Sequence, residues 1–256
     1  MNKKKIEKEY NKKIKLIINY NKNYYDLSKP LVSDKEYDDL KNSILTLESK
    51  YSYLRSRKSP SKIVGFKPSK NFQKVTHKAP MLSLANAFGR DDLINFEKRI
   101  LNFLSKNQDF KLSYSAEPKI DGISASLIYK NGEFKIGLSR GDGKEGEDIT
   151  INLVTIKDIP KKIHSKDFPQ EIDIRGEVFI QNSDFENLKE KFANPRNAAS
   201  GSLRQKNPED TKKIPLKFIA YTYGYAKGLK AKNQTDFLKN LNDWGFKTNP
   251  LNKLVT

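Results

Sequence analysis

Residues 111–139 read KLSYSAEPKIDGISASLIYKNGEFKIGLS, and three strands are legible in them. Lys111–Glu117 and Ser124–Tyr129 carry the apolar and β-branched residues that suit a pleated surface. Asn131-Gly132 is the dipeptide that two-residue hairpin turns favour, and Phe134–Ser139 reads as the return strand. An antiparallel sheet is therefore expected. Between the first two strands stands Glu117-Pro118-Lys119-Ile120-Asp121-Gly122, which places Lys119 at a strand end between acidic neighbours. Gly122 there allows close approach of backbone or ligand.

Working outward, Glu171–Ile180 and Leu216–Tyr225 read as further strands. Helices are expected over Asp91–Leu104, Ser183–Phe192 and Thr235–Trp244. The lack of a regular strand–helix–strand rhythm argues for an α+β fold with mixed or antiparallel sheets. The N-terminal part differs. Ile6, Tyr10, Ile14, Ile17 and Ile18 recur at helical spacing, as do Tyr37, Leu40, Ile44, Leu47 and Tyr51. Ser33 and Glu36 form a capping box ahead of the second set. The pattern predicts two antiparallel helices joined by a turn around Pro30, then a linker over Ser52–Thr76. The expected division is a helical unit with its linker at 1–72 and a larger α+β unit at 73–256.

Charge and composition bound the function. The 256 residues carry a formal charge of +18, with 49 basic residues of which 8 are Arg. Such a balance attracts polyanions, nucleic acid first. The lysines are spread along the chain among many Asn and Ile, a pattern that an AT-biased genome also produces. There is no cysteine, so this chain holds neither disulfides nor a thiolate zinc site. No run of 18 apolar residues and no secretory h-region occurs, which leads to the expectation of a cytoplasmic protein without membrane contact.

Lys119 is the candidate nucleophile. An amine attacks phosphorus only when neutral, and from a reference pKa of about 10.4 roughly 1 lysine in 1000 is neutral near pH 7.5. Acidic neighbours favour the charged ammonium, so the chemistry calls for a divalent metal or basic groups close by. A lysine in a surface turn is the plainer alternative, since KxDG is short. Arg140, in SRGDGKEGED at 139–148, could reach a phosphate bidentately, or sit in a solvated loop. Glu177 stands in an apolar run and needs a partner there: a ribose hydroxyl, a metal, or, on an edge strand, water or Arg175. In NPRNAASGSLRQ, residues 194–205, Pro195 could start a helix whose amides, with Arg196 and Arg204, suit a phosphate backbone. Asp34, Tyr37 and Asp38 share one helical face and suit a cationic nicotinamide, or else Asp34 caps its helix and Tyr37 joins the core.

KIDG, SRGDG-x-x-GEDIT, RGEVF and NPRNAASGSLRQ, in this order, resemble the NAD-dependent bacterial DNA ligases, and so does Pro80-Met81-Leu82-Ser83-Leu84. The resemblance runs through essentially the whole chain. It implies a covalent nucleotidyltransferase fold behind a small helical domain that binds nicotinamide mononucleotide. Lys119 matches the lysine that accepts AMP, and Glu117 the residue that reads adenine. Arg140 and Glu177 match residues at the NAD phosphate and ribose, and Ser83 and Leu84 a stretch lining the nucleotide site. Arg196 and Arg204 match arginines near the active site and nicked DNA. Tyr24, Asp34, Tyr37 and Asp38 match the nicotinamide side. NAD as AMP donor, Mg²⁺ and nicked duplex DNA are implied with them, in replication and repair, and a monomer is expected.

The sequence departs from the family in two ways. Tyr25 stands where some members have His. Family members also continue with further lysine-bearing motifs, an OB-fold, a four-cysteine zinc finger, helix-hairpin-helix repeats and a BRCT domain, and none of these lies within residues 1–256. The expectation is a truncated adenylation domain that does not seal nicks by itself. An ATP- or GTP-using nucleotidyltransferase shares KxDG but has no need of the N-terminal helices. A binding module without catalysis is the third reading.

Overall fold

The structure is a computed structural model that describes residues 3–23, 31–55, 59 and 72–256. Tyr24 and Tyr25 lie outside the described residues. Helix α1 spans Lys3–Asn21 and α2 spans Asp34–Lys50. They are antiparallel. Tyr10 Oη donates to Glu48 Oε1 at 2.7 Å, Lys13 Nζ to Ser43 Oγ at 3.1 Å and Tyr37 Oη to Asn21 Oδ1 at 2.8 Å, so early residues of one helix meet late residues of the other. Ile6, Tyr10, Ile17, Ile44 and Leu54 make their core. The capping box read from the sequence is present: Glu36 N–H donates to Ser33 Oγ, and Ser33 N–H to Glu36 Oε2 at 2.9 Å.

From Phe72 onward the chain builds a second, larger core. Its elements are β1 (Lys74–Thr76), α3 (Arg90–Phe103), β2 (Tyr114–Ala116), β3 (Ile123–Lys130), β4 (Glu133–Ser139), β5 (Glu145–Glu147), α4 (Thr150–Leu153), β6 (Glu171–Phe179), α5 (Asn182–Phe185), α6 (Pro195–Leu203), α7 (Pro208–Lys212), β7 (Lys217–Lys227), α8 (Gln234–Asp243) and β8 (Lys253–Val255). Four strands form one sheet in the order β4-β3-β6-β7, and every pairing in it is antiparallel. Asn131 (φ 50°) and Gly132 (φ 78°) turn β3 into β4, as the Asn-Gly pair predicted. Two short antiparallel pairs, β1-β5 and β2-β8, form ladders of their own.

Side chains alternate across a strand, so the two faces of the sheet can be read separately. Ala125, Leu127, Tyr129, Ile172, Ile174, Val178, Phe218 and Ala220 lie in the apolar core. Phe168 and Phe246 close on Tyr129, and Trp244 on Phe168, in edge-to-face contacts. Apart from Ile128, the residues that intervene in β3 and β6 are polar: Ser124, Ser126, Asp173, Arg175 and Glu177. β6 is nevertheless buried over most of its length, so the polar face is covered as well.

Some expectations need correcting. The segment read as linker over 52–76 includes a 3-10 turn at Ser52–Leu54, whose Leu54 is buried, and strand β1. Helix Ser183–Phe192 is broken: α5 lasts one turn and tightens into a 3-10 turn at Glu186–Leu188. Asn182, Ser183 and Asp184 suit caps and turns, and inside a helix they compete with their own backbone, so the helix is not propagated past its first turn. The strand expected over 111–117 contracts to β2, whose partner β8 is only three residues long.

Candidate active site

The loop between β2 and β3 presents Glu117, Lys119 and Asp121 at one end of the polar sheet face. Gly122 makes this possible, since a Cβ there would collide with the carbonyl oxygen of Val178 and crowd the Glu177 side chain. Glu177 lies in β6 between β3 and β7, which removes the edge-strand alternative. It sits opposite Ser124 in register, and Ser124 Oγ donates to Glu177 Oε2 at 2.9 Å. Burial pushes the Glu177 carboxyl above the usual carboxylate range. The Ser124 hydrogen bond and the charges of Arg196 and Lys119 oppose that rise, and Asp121 adds to it. Lys119, Asp121 and Arg196 therefore gather around one buried carboxylate. Arg175 does not pair with Glu177; its partner is Asp173, at 2.9 Å.

Arg196 sits in the first turn of α6, after the proline that the sequence marked as a helix start. Asn194 caps this helix by accepting from Asn197 N–H at 2.8 Å. Arg196 Nη1 meets Asp121 Oδ1 at 2.9 Å on the loop that carries Lys119. Arg204, at the other end of α6, pairs instead with Glu147, which is wholly buried. The two arginines of the motif thus have different partners.

Glu117 is held by two donors, Ser115 Oγ at 3.0 Å and Gln234 Nε2 at 2.8 Å. The same Gln234 nitrogen also meets Tyr221 O at 2.6 Å, tying α8 to β7 beneath the loop. Arg140 follows β4, and its Nη2 donates to Ser83 Oγ at 2.7 Å. Its Nε is buried without a hydrogen-bond partner among the described residues. Leu84, next to Ser83, is 76% exposed. The Tyr221 hydroxyl, beside Glu177 and Ser124, is pushed up to about 12, first by burial and then by the Glu177 charge. Ser124, Tyr221 and Gln234 escaped the sequence reading. Ser124 had a signal, as a polar residue breaking an apolar strand; Gln234, far from the motif in sequence, had none.

On the helical unit, Tyr37 packs partly against the α1–α2 core and donates to Asn21. Asp38 Oδ2 accepts from Asn86 Nδ2 at 2.6 Å. Asp34 is the first residue of α2. Among the described residues no three His, Cys, Asp or Glu side chains converge to hold a metal ion. No helix among them is long and apolar enough to cross a membrane.

Comparison with known proteins gives this geometry a family. Residues 69–256 match the family model described as the NAD-dependent DNA ligase adenylation domain. Residues 3–65 match the DNA ligase-like, N-terminal NAD+-binding domain. A DNA ligase of Pelagibacter ubique is 66% identical over 255 residues, covering 100% of this chain and 38% of its own length. DNA ligases of Rickettsia canadensis and Xanthobacter autotrophicus are 47% and 46% identical, over 98% and 89% of this chain and 37% and 33% of their own. The chain thus spans well under half the length of these relatives. Two domain models in the expected order, and relatives aligned along the whole chain, make it a member of the NAD-dependent DNA ligase family.

Proposed function

We propose that this chain takes AMP from NAD onto Lys119, the first step of joining 3′-hydroxyl and 5′-phosphate ends at nicks in duplex DNA. Lys119 Nζ forms a bond to the α-phosphorus of the AMP half. The bond from that phosphorus to the bridging oxygen breaks, nicotinamide mononucleotide leaves with the electron pair, and the amine proton passes to solvent. In the full reaction AMP then moves to the nick 5′-phosphate, and the 3′-hydroxyl displaces it. NAD is consumed and is therefore a substrate.

The observation that carries this reading is the gathering of Lys119, Arg196 and Ser124 around buried Glu177. Glu177, fixed by Ser124, accepts from a ribose hydroxyl. Glu117, already oriented by Ser115 and Gln234, has its other oxygen for the adenine amino group. Arg140 supplies donors to the phosphates. Asp34, Tyr37 and Asp38, with Tyr24, make up the nicotinamide side on the unit proposed at 1–72. Leu84 lines the adenine side, and Arg196 and Arg204 face the nick phosphates. Mg²⁺, whose chemistry is to neutralise charge on phosphorus, would be carried here mainly by substrate phosphates. The protein is placed in the cytoplasm, acting as a monomer in replication and repair.

The test is incubation with adenylate-labelled NAD and Mg²⁺, followed by mass spectrometry for AMP on Lys119. It is run on this chain and on this chain continued with the remainder of the Pelagibacter ubique relative. This chain alone is expected to give little adduct, the continued protein to label clearly on Lys119, and the Lys119→Ala variant of the continued protein not at all. An adduct that survives Lys119→Ala would sink the assignment.

A further inference from the structure

The buried polar face has a second half that the proposed chemistry does not use. Asp173 and Arg175 lie on the same face of β6 as Glu177 and are almost fully buried. Asp173 is satisfied twice, by Ser126 Oγ at 2.5 Å and by the Arg175 guanidinium at 2.9 and 3.1 Å. Arg175 then directs its remaining donors away from the sheet, Nη1 to Pro80 O at 2.9 Å and Nη2 to Ala79 O at 2.5 Å. Those carbonyls belong to the segment that leads to Ser83.

The same segment is pinned on its other side. β1 pairs with β5, His77 N–H donates to Lys144 O and Met81 N–H to Gly143 O, both at 2.8 Å. It therefore lies as a strap between the sheet and the loop that begins at Arg140, and its Ser83 hydroxyl accepts from Arg140. On the far side of Arg175, β7 has an irregular register, and Gly224 stands where a side chain would otherwise be. A Cβ on Gly224 would collide with the Arg175 guanidinium and with Asp173 Oδ2. The space Arg175 occupies is thus made by one missing methyl group.

We infer that Asp173, Arg175 and Gly224 form an anchor that fixes residues 79–83 over the sheet and through Ser83 sets the guanidinium of Arg140 for the NAD phosphates. Arg175 is a positioning residue: its donors end on main-chain carbonyls, and it acts on the ligand only through the strap. A guanidinium suits this task because its planar fork makes four hydrogen bonds at once, two to a carboxylate and two to carbonyls, one more than the three donors of an ammonium allow. This inference rests on the proposal that Arg140 meets the phosphates of NAD.

The experiment is calorimetric titration of NAD into this chain and into Arg175→Lys, Gly224→Ala and Arg140→Ala, followed by each of the first two combined with Arg140→Ala. Both first substitutions keep a cation at 175, so Asp173 is not left as an unpaired buried charge. Near-ultraviolet circular dichroism and thermal melting accompany each titration. Arg175→Lys and Gly224→Ala are expected to weaken NAD binding about tenfold or more, the scale of losing one hydrogen bond to a charged group. In the Arg140→Ala background neither is expected to weaken it further, since groups that act through one another are not additive. Equal losses with and without Arg140 would overturn the inference, because a general loosening of the fold adds independently. Unchanged binding in Arg175→Lys and Gly224→Ala would overturn it as well. No NAD binding by the unaltered chain, or none of the loss expected in Arg140→Ala, would instead count against the proposed function on which it stands.

Discussion

At the scale of single residues, Glu177 shows how burial and chemistry compete. Its carboxyl is raised above the ordinary range because water is excluded, so the folded protein holds its proton to higher pH than the unfolded chain does. The sign follows from proton counting. Below the unfolded pKa both states are protonated and nothing is lost. As pH rises through the folded pKa, stability falls and then levels off. Glu177→Gln keeps an acceptor for Ser124 and removes the titration. Melting curves are expected to show that this variant gains on the unaltered protein as pH climbs above the carboxylate range, while its NAD affinity drops. A stability difference that does not change with pH would contradict the account. Lys119, Arg140 and Glu177 were legible as candidates because KIDG, SRGDG and RGEVF resemble one family in order and text, although a surface turn, a solvated loop and an edge strand stayed open for them one by one. The Asp173–Arg175 pair was not, since its partners are the carbonyls of Ala79 and Pro80, almost a hundred positions earlier, and carbonyls carry no sequence signature.

Elements were read best where local chemistry decides them. Ser33 and Glu36 announce the start of α2, and both halves of the box form. Ser33→Ala is expected to lower the stability of the helical unit by about 1 kcal/mol, the usual worth of such a cap, and to leave the rest untouched. Residue-resolved hydrogen exchange checks this, with faster exchange confined to α1 and α2. Gly122 makes the opposite case. A methyl group there meets the backbone of β6, which cannot swing away, so Gly122→Ala is expected to cost about 1–3 kcal/mol and to displace the nucleophile loop. Denaturant titration measures the first, and loss of Lys119 labelling the second. Burial was less legible than periodicity. α3 has helical apolar spacing, yet Leu93, Phe96 and Phe103 stay exposed, because what a helix packs against is decided by distant chain. The three-residue strands β1, β5 and β8 were missed for the same reason: each is a strand only by virtue of its partner.

For the molecule as a whole, charge is the dominant property. With a formal charge of +18, the chain is expected to bind duplex DNA weakly through phosphate contacts, and affinity should fall steeply between roughly 50 and 200 mM salt. Fluorescence anisotropy with nicked and intact duplexes tests it; tight, nick-selective binding unmoved by salt would contradict a phosphate-driven mode. The two separate cores were anticipated from the change of hydrophobic period along the chain. Less visible was how far the chain travels to pair the strand that precedes Lys119. β2, the strand immediately before Lys119, pairs with β8, so Tyr114 faces Val255. The whole four-stranded sheet lies between them in the chain. At synthesis rates of roughly 5–20 residues per second, several seconds to tens of seconds separate the two strands at the ribosome. The loop of the proposed nucleophile therefore emerges early but waits, unbraced on one side, until the four-stranded sheet and β8 have been made. If Lys119 accepts AMP as proposed, a nascent chain that carries the KIDG loop but lacks β8 is expected not to be charged, and reactivity would come only with the later strand.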